Sequence, residues 1–263
     1  MTEQQLAAVY DAFHAARATT TLVAQLYSRA MGDAYPHELE TSSSCDWPLL
    51  ATMVDRLRLR PGARLADLGC GTGGVGLWLA RALSVHLVGI DISPTAISLA
   101  TRRIPAFVPP GQATFRTATM EATGLPDAHA DGIVCVDALG FVPDPMGALR
   151  EMRRVLRPGG RAVLTSGSLR SRSAAPPWPE RAAAAGLELE WEEERPHEPA
   201  MWSRLYRLWA EHEADLRLHL GDDQAGSMLT EARTRSRTVG DRRSVTVTLR
   251  RPGGEGATSD ATV

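Results

Sequence analysis

Strand and helix alternate along the middle of this chain, the apolar bursts are continuous rather than every second residue, and a glycine-rich turn joins the first strand to its helix. Together these predict an α/β fold, a doubly wound and mostly parallel sheet covered by helices on both faces. A strand buried on both sides has no polar face to show, which is why its hydrophobicity does not alternate.

Each element has its own signal. Leu6, Val9, Tyr10 and Phe13, then Leu22, Val23 and Leu26, recur at helical spacing until Gly32, so the chain opens with amphipathic helix in two pieces. Residues 33–46, with Pro36 and Ser42-Ser43-Ser44, read as loop, and Asp46 or Ser44 caps a helix entered through Pro48 with Leu49, Leu50, Met53, Val54 and Leu57 on one face. Residues 64–68 form the first strand, 75–83 an apolar helix, 85–90 the second strand ending in Asp91, and Ser93-Pro94 opens a helix to about residue 103. Strands follow at 113–118 and 132–136. Asp144 caps the helix 145–156, Arg157-Pro158-Gly159-Gly160 ends it, and 161–165 is the fifth strand. A Ser-, Pro- and Arg-rich loop over 168–179 leads to a short helix and a strand around 187–191. Residues 200–220 read as helix, Asp222 or Asp223 caps another up to about 235, and 243–249 alternates cleanly as the last strand. The tail over 252–263, almost all Gly, Ala, Ser, Thr and Asp, is expected to be disordered.

Composition narrows the partners. The chain has 263 residues and a formal net charge of −2, so no global basic field holds it on nucleic acid or an anionic membrane. Its 3 cysteines, Cys45, Cys70 and Cys135, make neither a disulfide framework nor a zinc motif, which points to a reduced, cytoplasmic setting. No apolar stretch approaches the roughly 20 residues of a membrane helix, and the first residues lack the basic and apolar runs of a leader. Every cationic side chain is arginine, and neither lysine nor asparagine occurs.

The chemistry concentrates at Ala66-Asp67-Leu68-Gly69-Cys70-Gly71-Thr72-Gly73-Gly74, between a strand and a helix. Gly69, Gly71 and Gly74 also satisfy the GxGxxG of dinucleotide dehydrogenases. Asp67 argues otherwise, because a carboxylate two positions before the first glycine repels a pyrophosphate and attracts an ammonium group. Through this turn, Val88-Gly89-Ile90-Asp91-Ile92-Ser93, Gly124-Leu125-Pro126-Asp127, residues 131–137 and Leu156-Arg157-Pro158-Gly159-Gly160, the chain resembles the class I S-adenosylmethionine-dependent methyltransferases over roughly residues 59–165. The resemblance implies a Rossmann-like sheet of seven strands whose last strand runs antiparallel between the fifth and sixth. It also implies an N-terminal helical lid over 1–46, a core over 47–251, and a helical insertion at about 196–236 that completes the lid.

Carried onto this sequence, the resemblance sets Asp67 toward the methionyl ammonium of S-adenosylmethionine and brings Gly69, Cys70 and Gly71 to the methionyl and ribose portions. Asp91 would take both ribose hydroxyls, Ile92 would flank the adenine, and Met120 would lie against its ring. The acidic residue expected beside the adenine amino group is either replaced by Thr119 or supplied by Glu121. Asp137 would lie near the sulfonium and the acceptor. Cys70 and Cys135 have the side chains of small packing residues, since no Pro-Cys pair follows the fourth strand.

The acceptor is read from what is missing and what is added. Without asparagine, the Asn-Pro-Pro-aromatic motif of adenine and glutamine methyltransferases and the metal site of catechol-type enzymes are both impossible, so a metal-free acceptor site is expected. Tyr10, Phe13, Tyr27, Trp47, Phe141, Trp202 and Tyr206, with Trp209 on the same helix face, are candidates to line it. His14, His37 and Asp137 are candidates for a base or an acceptor-orienting group. A finer resemblance, to small-molecule methyltransferases of bacterial secondary metabolism and quinone biosynthesis, implies a compact organic acceptor methylated on O, N or C, such as an antibiotic precursor, and a monomer or homodimer. Two rivals remain: a cyclase that binds the cofactor without transferring methyl, and an RNA methyltransferase resting on Arg233, Arg235, Arg237, Arg242 and Arg243, which Glu231 and Asp241 flank.

Overall fold

The structure is a computed structural model and describes residues 2–171 and 175–253. Parallel strands β1 (Arg64–Leu68), β2 (His86–Asp91), β3 (Ala113–Thr117), β4 (Ala130–Cys135) and β5 (Leu156–Leu169) are joined by β6 (Glu188–Glu194) and β7 (Arg242–Arg250) in the order β3-β2-β1-β4-β5-β7-β6. β7 runs antiparallel to both neighbours. This is the doubly wound α/β sheet that the sequence predicts, with the last strand between the fifth and sixth.

Residue parity assigns each side chain to a layer. Ala66, Leu68, Val88 and Ile90 enter one apolar cluster, with Leu149, Met152 and Val155 of helix α6 (Pro145–Val155) and with Trp178 and Ala182 of α7 (Trp178–Ala184). Leu65 and Leu87 enter the other, packed on α3 (Trp47–Leu57) and α4 (Gly74–Leu83), with Phe107 of α5 (Pro94–Phe107) at its edge. Asp67 shares the second face, which turns its carboxylate under the start of α4.

A third apolar cluster lies off the sheet. It joins α2 (Leu22–Met31) to α8 (Glu198–Glu211), α9 (Glu213–Leu220) and α10 (Asp222–Arg235) through Val23, Leu26, Tyr27, Leu205, Trp209, Leu216 and Met228. α1 (Glu3–Arg17) lies against α5, where Asp11 Oδ1 accepts Ser93 Oγ at 2.5 Å and the Thr95 amide at 3.0 Å. A helix of the N-terminal segment thereby caps a helix of the core.

Several boundaries differ from expectation. The helix expected over 200–220 breaks at His212, whose φ of −105° and ψ of 27° end α8 and start α9. β5 begins at Leu156 rather than after Gly160, because the Gly159 amide donates to the Arg251 carbonyl and the Arg251 amide to that of Gly160, both at 2.9 Å. Pairing to a distant strand end therefore extends the strand through a glycine-rich stretch that looks like a terminator. α8 starts at Glu198, inside the expected insertion. Most of the tail, 254–263, and residues 172–174 of the 168–179 loop lie outside the described residues.

Candidate active site

The C-terminal ends of β1, β2, β4 and β5 open into one large cavity of about 1750 Å³, roofed by α1, α2, α8 and α10. Ligands of open α/β sheets bind at this edge, where the strand order reverses.

At its floor, β1 delivers Asp67 and turns sharply. Gly69 sits at φ +71°, and a Cβ there would come within 2.3 Å of the Ala138 Cβ, so this position requires glycine on both conformational and steric grounds. The Gly69 and Cys70 amides donate to the Ile90 carbonyl at 2.8 and 3.0 Å, which fixes the turn against the end of β2. Asp67 is 2% exposed and accepts one hydrogen bond, from the Gly76 amide at 3.0 Å. The side chain fits because Gly76 has none: a Cβ there would stand 2.7 Å from Asp67 Oδ2. Burial pushes the Asp67 carboxyl up to about 7, with the charge of Asp91 adding to the effect.

Asp91, at the end of β2, accepts the Gly71 amide at 2.8 Å on one oxygen and the Ser93 amide at 2.9 Å on the other. Each oxygen keeps capacity for a further donor. Ile92 lines the cavity beside it. Met120 is buried beneath the turn, its methyl 3.3 Å from where a Gly69 Cβ would be and its sulfur 3.7 Å from Cys135 Sγ. Thr119 and Glu121 both line the cavity. Thr119 Oγ1 accepts the Ala122 amide at 3.2 Å, and Glu121 Oε1 accepts that of Asp144 at 3.3 Å. Cys45, Cys70 and Cys135 are buried, and burial raises all three thiols, so none is a ready nucleophile.

Asp137, after β4, lies in left-handed backbone at φ +52° and is committed to the chain. Its carboxylate accepts the Ser44 amide at 2.6 Å, Ser44 Oγ at 3.0 Å and Thr165 Oγ1 at 2.9 Å. Ser44 passes the connection on, since Arg195 donates to its Oγ at 2.8 Å and its carbonyl at 2.6 Å. Arg195 also pairs with Glu198 at 2.7 Å, and Glu198 accepts Trp202 Nε1 at 2.9 Å and pairs with Arg242 at 3.3 Å. One network thus ties the loop before α3, the end of β4, the start of α8 and β7. With three donors on its two oxygens, Asp137 organises these loops and has little capacity left to act as a base.

Tyr10, Phe13, His14, Tyr27, Phe141, Trp202, Tyr206 and Trp209 line the cavity. The spacing of Trp202, Tyr206 and Trp209 serves packing on α2 rather than on the sheet: Tyr27 meets Trp202 and Trp209 edge-on at 6.2 and 6.5 Å, while Trp202 stacks on Tyr206 at 5.7 Å. Burial pushes the Tyr10 phenol up to about 12 and those of Tyr27 and Tyr206 higher, so these hydroxyls donate hydrogen bonds and do not serve as bases. His14 stands over the glycine turn, its Cε1 3.5 Å from where a Gly71 Cβ would be, and burial lowers its pKa, leaving a neutral imidazole at pH 7.

Two candidates lie elsewhere. His37 is exposed and packs edge-on against Tyr35 at 5.1 Å, because the short helical turn His37–Leu39 buries Leu39 instead. Trp47 is 39% exposed and meets Trp78 at 5.8 Å on the far side of α3, since Asp46 caps that helix with Leu49 and Leu50 turned inward. The arginine stretch is largely neutralised: Arg235 pairs with Glu231, Arg242 with Glu198, and Arg243 with Glu192 and Glu194.

Several site residues escape sequence reasoning. Ser44 and Asp11 resemble any loop serine and helix aspartate, and Arg195 and Glu198 are separated by more than 150 residues from Ser44. Arg17 did leave a signal, since Tyr10, Phe13 and Arg17 are spaced three and four apart and share a helix face.

Residues 66–164 match a family model described as "Methyltransferase domain". Over that stretch the chain is similar to methyltransferase domains. It is 31% identical over 164 residues to 27-O-demethylrifamycin SV methyltransferase of Amycolatopsis mediterranei, covering 62% of this chain and 58% of that one. It is also 37% identical over 113 residues to the ubiquinone/menaquinone biosynthesis C-methyltransferase UbiE of Geobacter sulfurreducens, covering 42% and 44%. Among the curated relatives it matches, the chain spans 41% to 58% of the length of the first three. Its fold resembles the crystal structure of the [4+2]-cyclase SpnF with a TM-score of 0.74 at 23% identity, covering 96% of this chain and 97% of that one. No described helix is long and apolar enough to cross a membrane.

Proposed function

We propose that the chain transfers a methyl group from S-adenosylmethionine to O, N or C of a small organic acceptor, with α1, α2 and α8–α10 as the lid over both ligands. The observation that carries this reading is the pair of buried strand-end carboxylates on either side of a glycine turn, on the floor of a cavity walled by aromatic rings. The residues fit the cofactor on their own chemistry. Asp67 accepts a single bond from the chain and suits a cationic ammonium, Asp91 keeps one open acceptor position on each oxygen for a vicinal diol, and Gly69 leaves backbone where a side chain would not fit. Met120 and Ile92 offer apolar surface for a flat ring, with Thr119 or Glu121 toward its edge.

When bound, S-adenosylmethionine supplies a methyl carbon already attached to a leaving group. The chain's task is therefore to align the acceptor and exclude water. The network around Asp137 fixes the loops beside the reacting end, and Tyr10, Phe13, Tyr27 and Trp202 pack the acceptor's carbon skeleton. For a hydroxyl acceptor, neutral His14 is the group proposed to take the proton.

The relatives' names, one acting on a rifamycin and one in quinone biosynthesis, favour a natural-product acceptor. The cavity supports this too, since its 1750 Å³ exceeds the roughly 300–1,000 Å³ of a site for one drug-sized ligand and leaves room for two. Likeness to a cyclase over nearly the whole chain favours a second reading, a cofactor-binding cyclase. Incubation with S-adenosylmethionine and a panel of phenol, polyketide and quinol acceptors separates the two. Acceptor-dependent formation of S-adenosylhomocysteine is expected; cyclisation of a bound polyene without it would favour the cyclase.

A further inference from the structure

The acceptor chamber contains a cation that forms no ion pair among the described residues. Arg17, in the last turn of α1, lies over the Phe13 ring, its guanidinium carbon 3.4 Å from the centroid, and lines the cavity. Its one hydrogen bond to the chain among the described residues is a 3.5 Å contact to the Phe13 carbonyl, and its Nε is enclosed with no partner. No carboxylate of the described residues lies within ion-pair distance. Glu231, whose charge acts on Arg17 through space, directs Oε1 to Tyr206 Oη at 3.3 Å and to Arg235 Nε at 3.5 Å. Burial lowers the Arg17 pKa only to about 10, so the side chain keeps its charge at neutral pH.

A second donor in the same wall lacks an acceptor. Trp209 is buried against Tyr27, its ring centroid 6.5 Å away, and its indole N–H has no partner among the described residues. The Arg17 charge also acts on Tyr27, whose own hydroxyl is spent on the Ser42 carbonyl at 3.1 Å. Buried cations in proteins are paired because leaving one unpaired is costly, and buried donors are matched for the same reason. Both residues line the space assigned to the acceptor.

We propose that Arg17, with Trp209 in the same cavity wall, is an anion subsite of the acceptor chamber, and that the acceptor is an organic anion, a carboxylate or an ionised enol, whose oxygens face α1. The planar guanidinium suits a two-oxygen group, and Phe13 and Tyr27 hold the carbon skeleton beside it. This deepens the methyl-transfer reading and rests on it for the identity of the ligand as acceptor.

The test compares two probes with the same ring system, 2-naphthoate and its neutral methyl ester, titrated into the protein saturated with S-adenosylhomocysteine. The wild type is expected to bind naphthoate at least about tenfold more tightly than the ester, as charge-assisted hydrogen bonds predict. Arg17→Met, which keeps the length and packing of the side chain, should abolish the preference, and Trp209→Phe should reduce it. Thermal melts and S-adenosylhomocysteine affinity of each variant report whether the fold is retained. A wild type without preference for naphthoate, or an Arg17→Met variant that keeps it, would overturn the subsite. Failure of the wild type to bind S-adenosylhomocysteine would instead sink the methyl-transfer reading, and the naphthoate comparison run without it would still decide the subsite.

Discussion

Asp67 and Asp91 are both carboxylates at strand ends, yet their surroundings give them different behaviour. Asp67 is enclosed with one amide for company, and burial lifts its pKa from an ordinary 3.8 to about 7. The folded chain therefore holds this proton more tightly than the unfolded one, so Asp67 costs stability progressively as pH rises from about 4 to about 7, and the full cost is present above that. A ligand ammonium reverses the preference by favouring the ionised form. S-adenosylmethionine affinity should accordingly rise between about pH 5.5 and about pH 7, by up to about tenfold per pH unit, with proton release on binding. Calorimetry in buffers of different ionisation enthalpy measures that release, and Asp67→Asn should flatten the profile. Asp91 has two backbone amides to hold as well as any ribose, so Asp91→Ala should weaken S-adenosylhomocysteine binding about ten- to hundredfold, as expected for lost hydrogen bonds to a charged group. Unchanged affinity in that variant would remove the ribose assignment.

At the scale of elements, two of the polar contacts that attach the proposed lid to the core differ in strength. Asp11 caps α5 from α1, and its carboxyl is held below the usual range by the Ser93 hydroxyl and the Thr95 amide. Asp11→Ala should cost about 1 kcal/mol, a melting shift of roughly 2–4 °C in a chain of this size, and should raise hydrogen exchange in α1 more than in the sheet. The network through Ser44, Arg195 and Glu198 is buried and should matter more. Arg195→Met takes from Glu198, which is 5% exposed, its nearer counter-charge and leaves Arg242 at 3.3 Å. Breaking such a pair costs roughly 3–5 kcal/mol, or on the order of 10 °C in melting temperature. Adding Glu198→Gln should recover part of the loss, because the under-compensated charge rather than the missing contact dominates it. An Arg195→Met melt within about 2 °C of the wild type would contradict this role for the network.

For the molecule as a whole, the sheet was legible because it is written in local terms. Continuous apolar bursts mark β1, β2 and β4, Asp144 and Ser93-Pro94 mark helix starts, and the alternation of β7 separates it from the buried parallel strands. Asp67, Asp91 and the glycine turn were legible for the same reason, since strand, turn and helix follow one another within a few residues. What sequence reasoning missed depends on long-range pairing. Arg251 extends β5 from the far end of β7, Ser44 meets Asp137 from 93 positions away, and Asp11 caps a helix more than 80 positions later. His37 and Trp47 enter the candidate set by residue type alone, and the direction in which each helix or turn faces puts them outside the cavity.

The central claim is that the floor of this cavity is built for S-adenosylmethionine. The most direct test is a calorimetric titration of the purified chain with S-adenosylmethionine, S-adenosylhomocysteine and NAD in turn. Micromolar binding of the first two, with no heat from NAD, is the result predicted. Binding of NAD alone would contradict the roles given to Asp67 and Asp91 and the reading built on them.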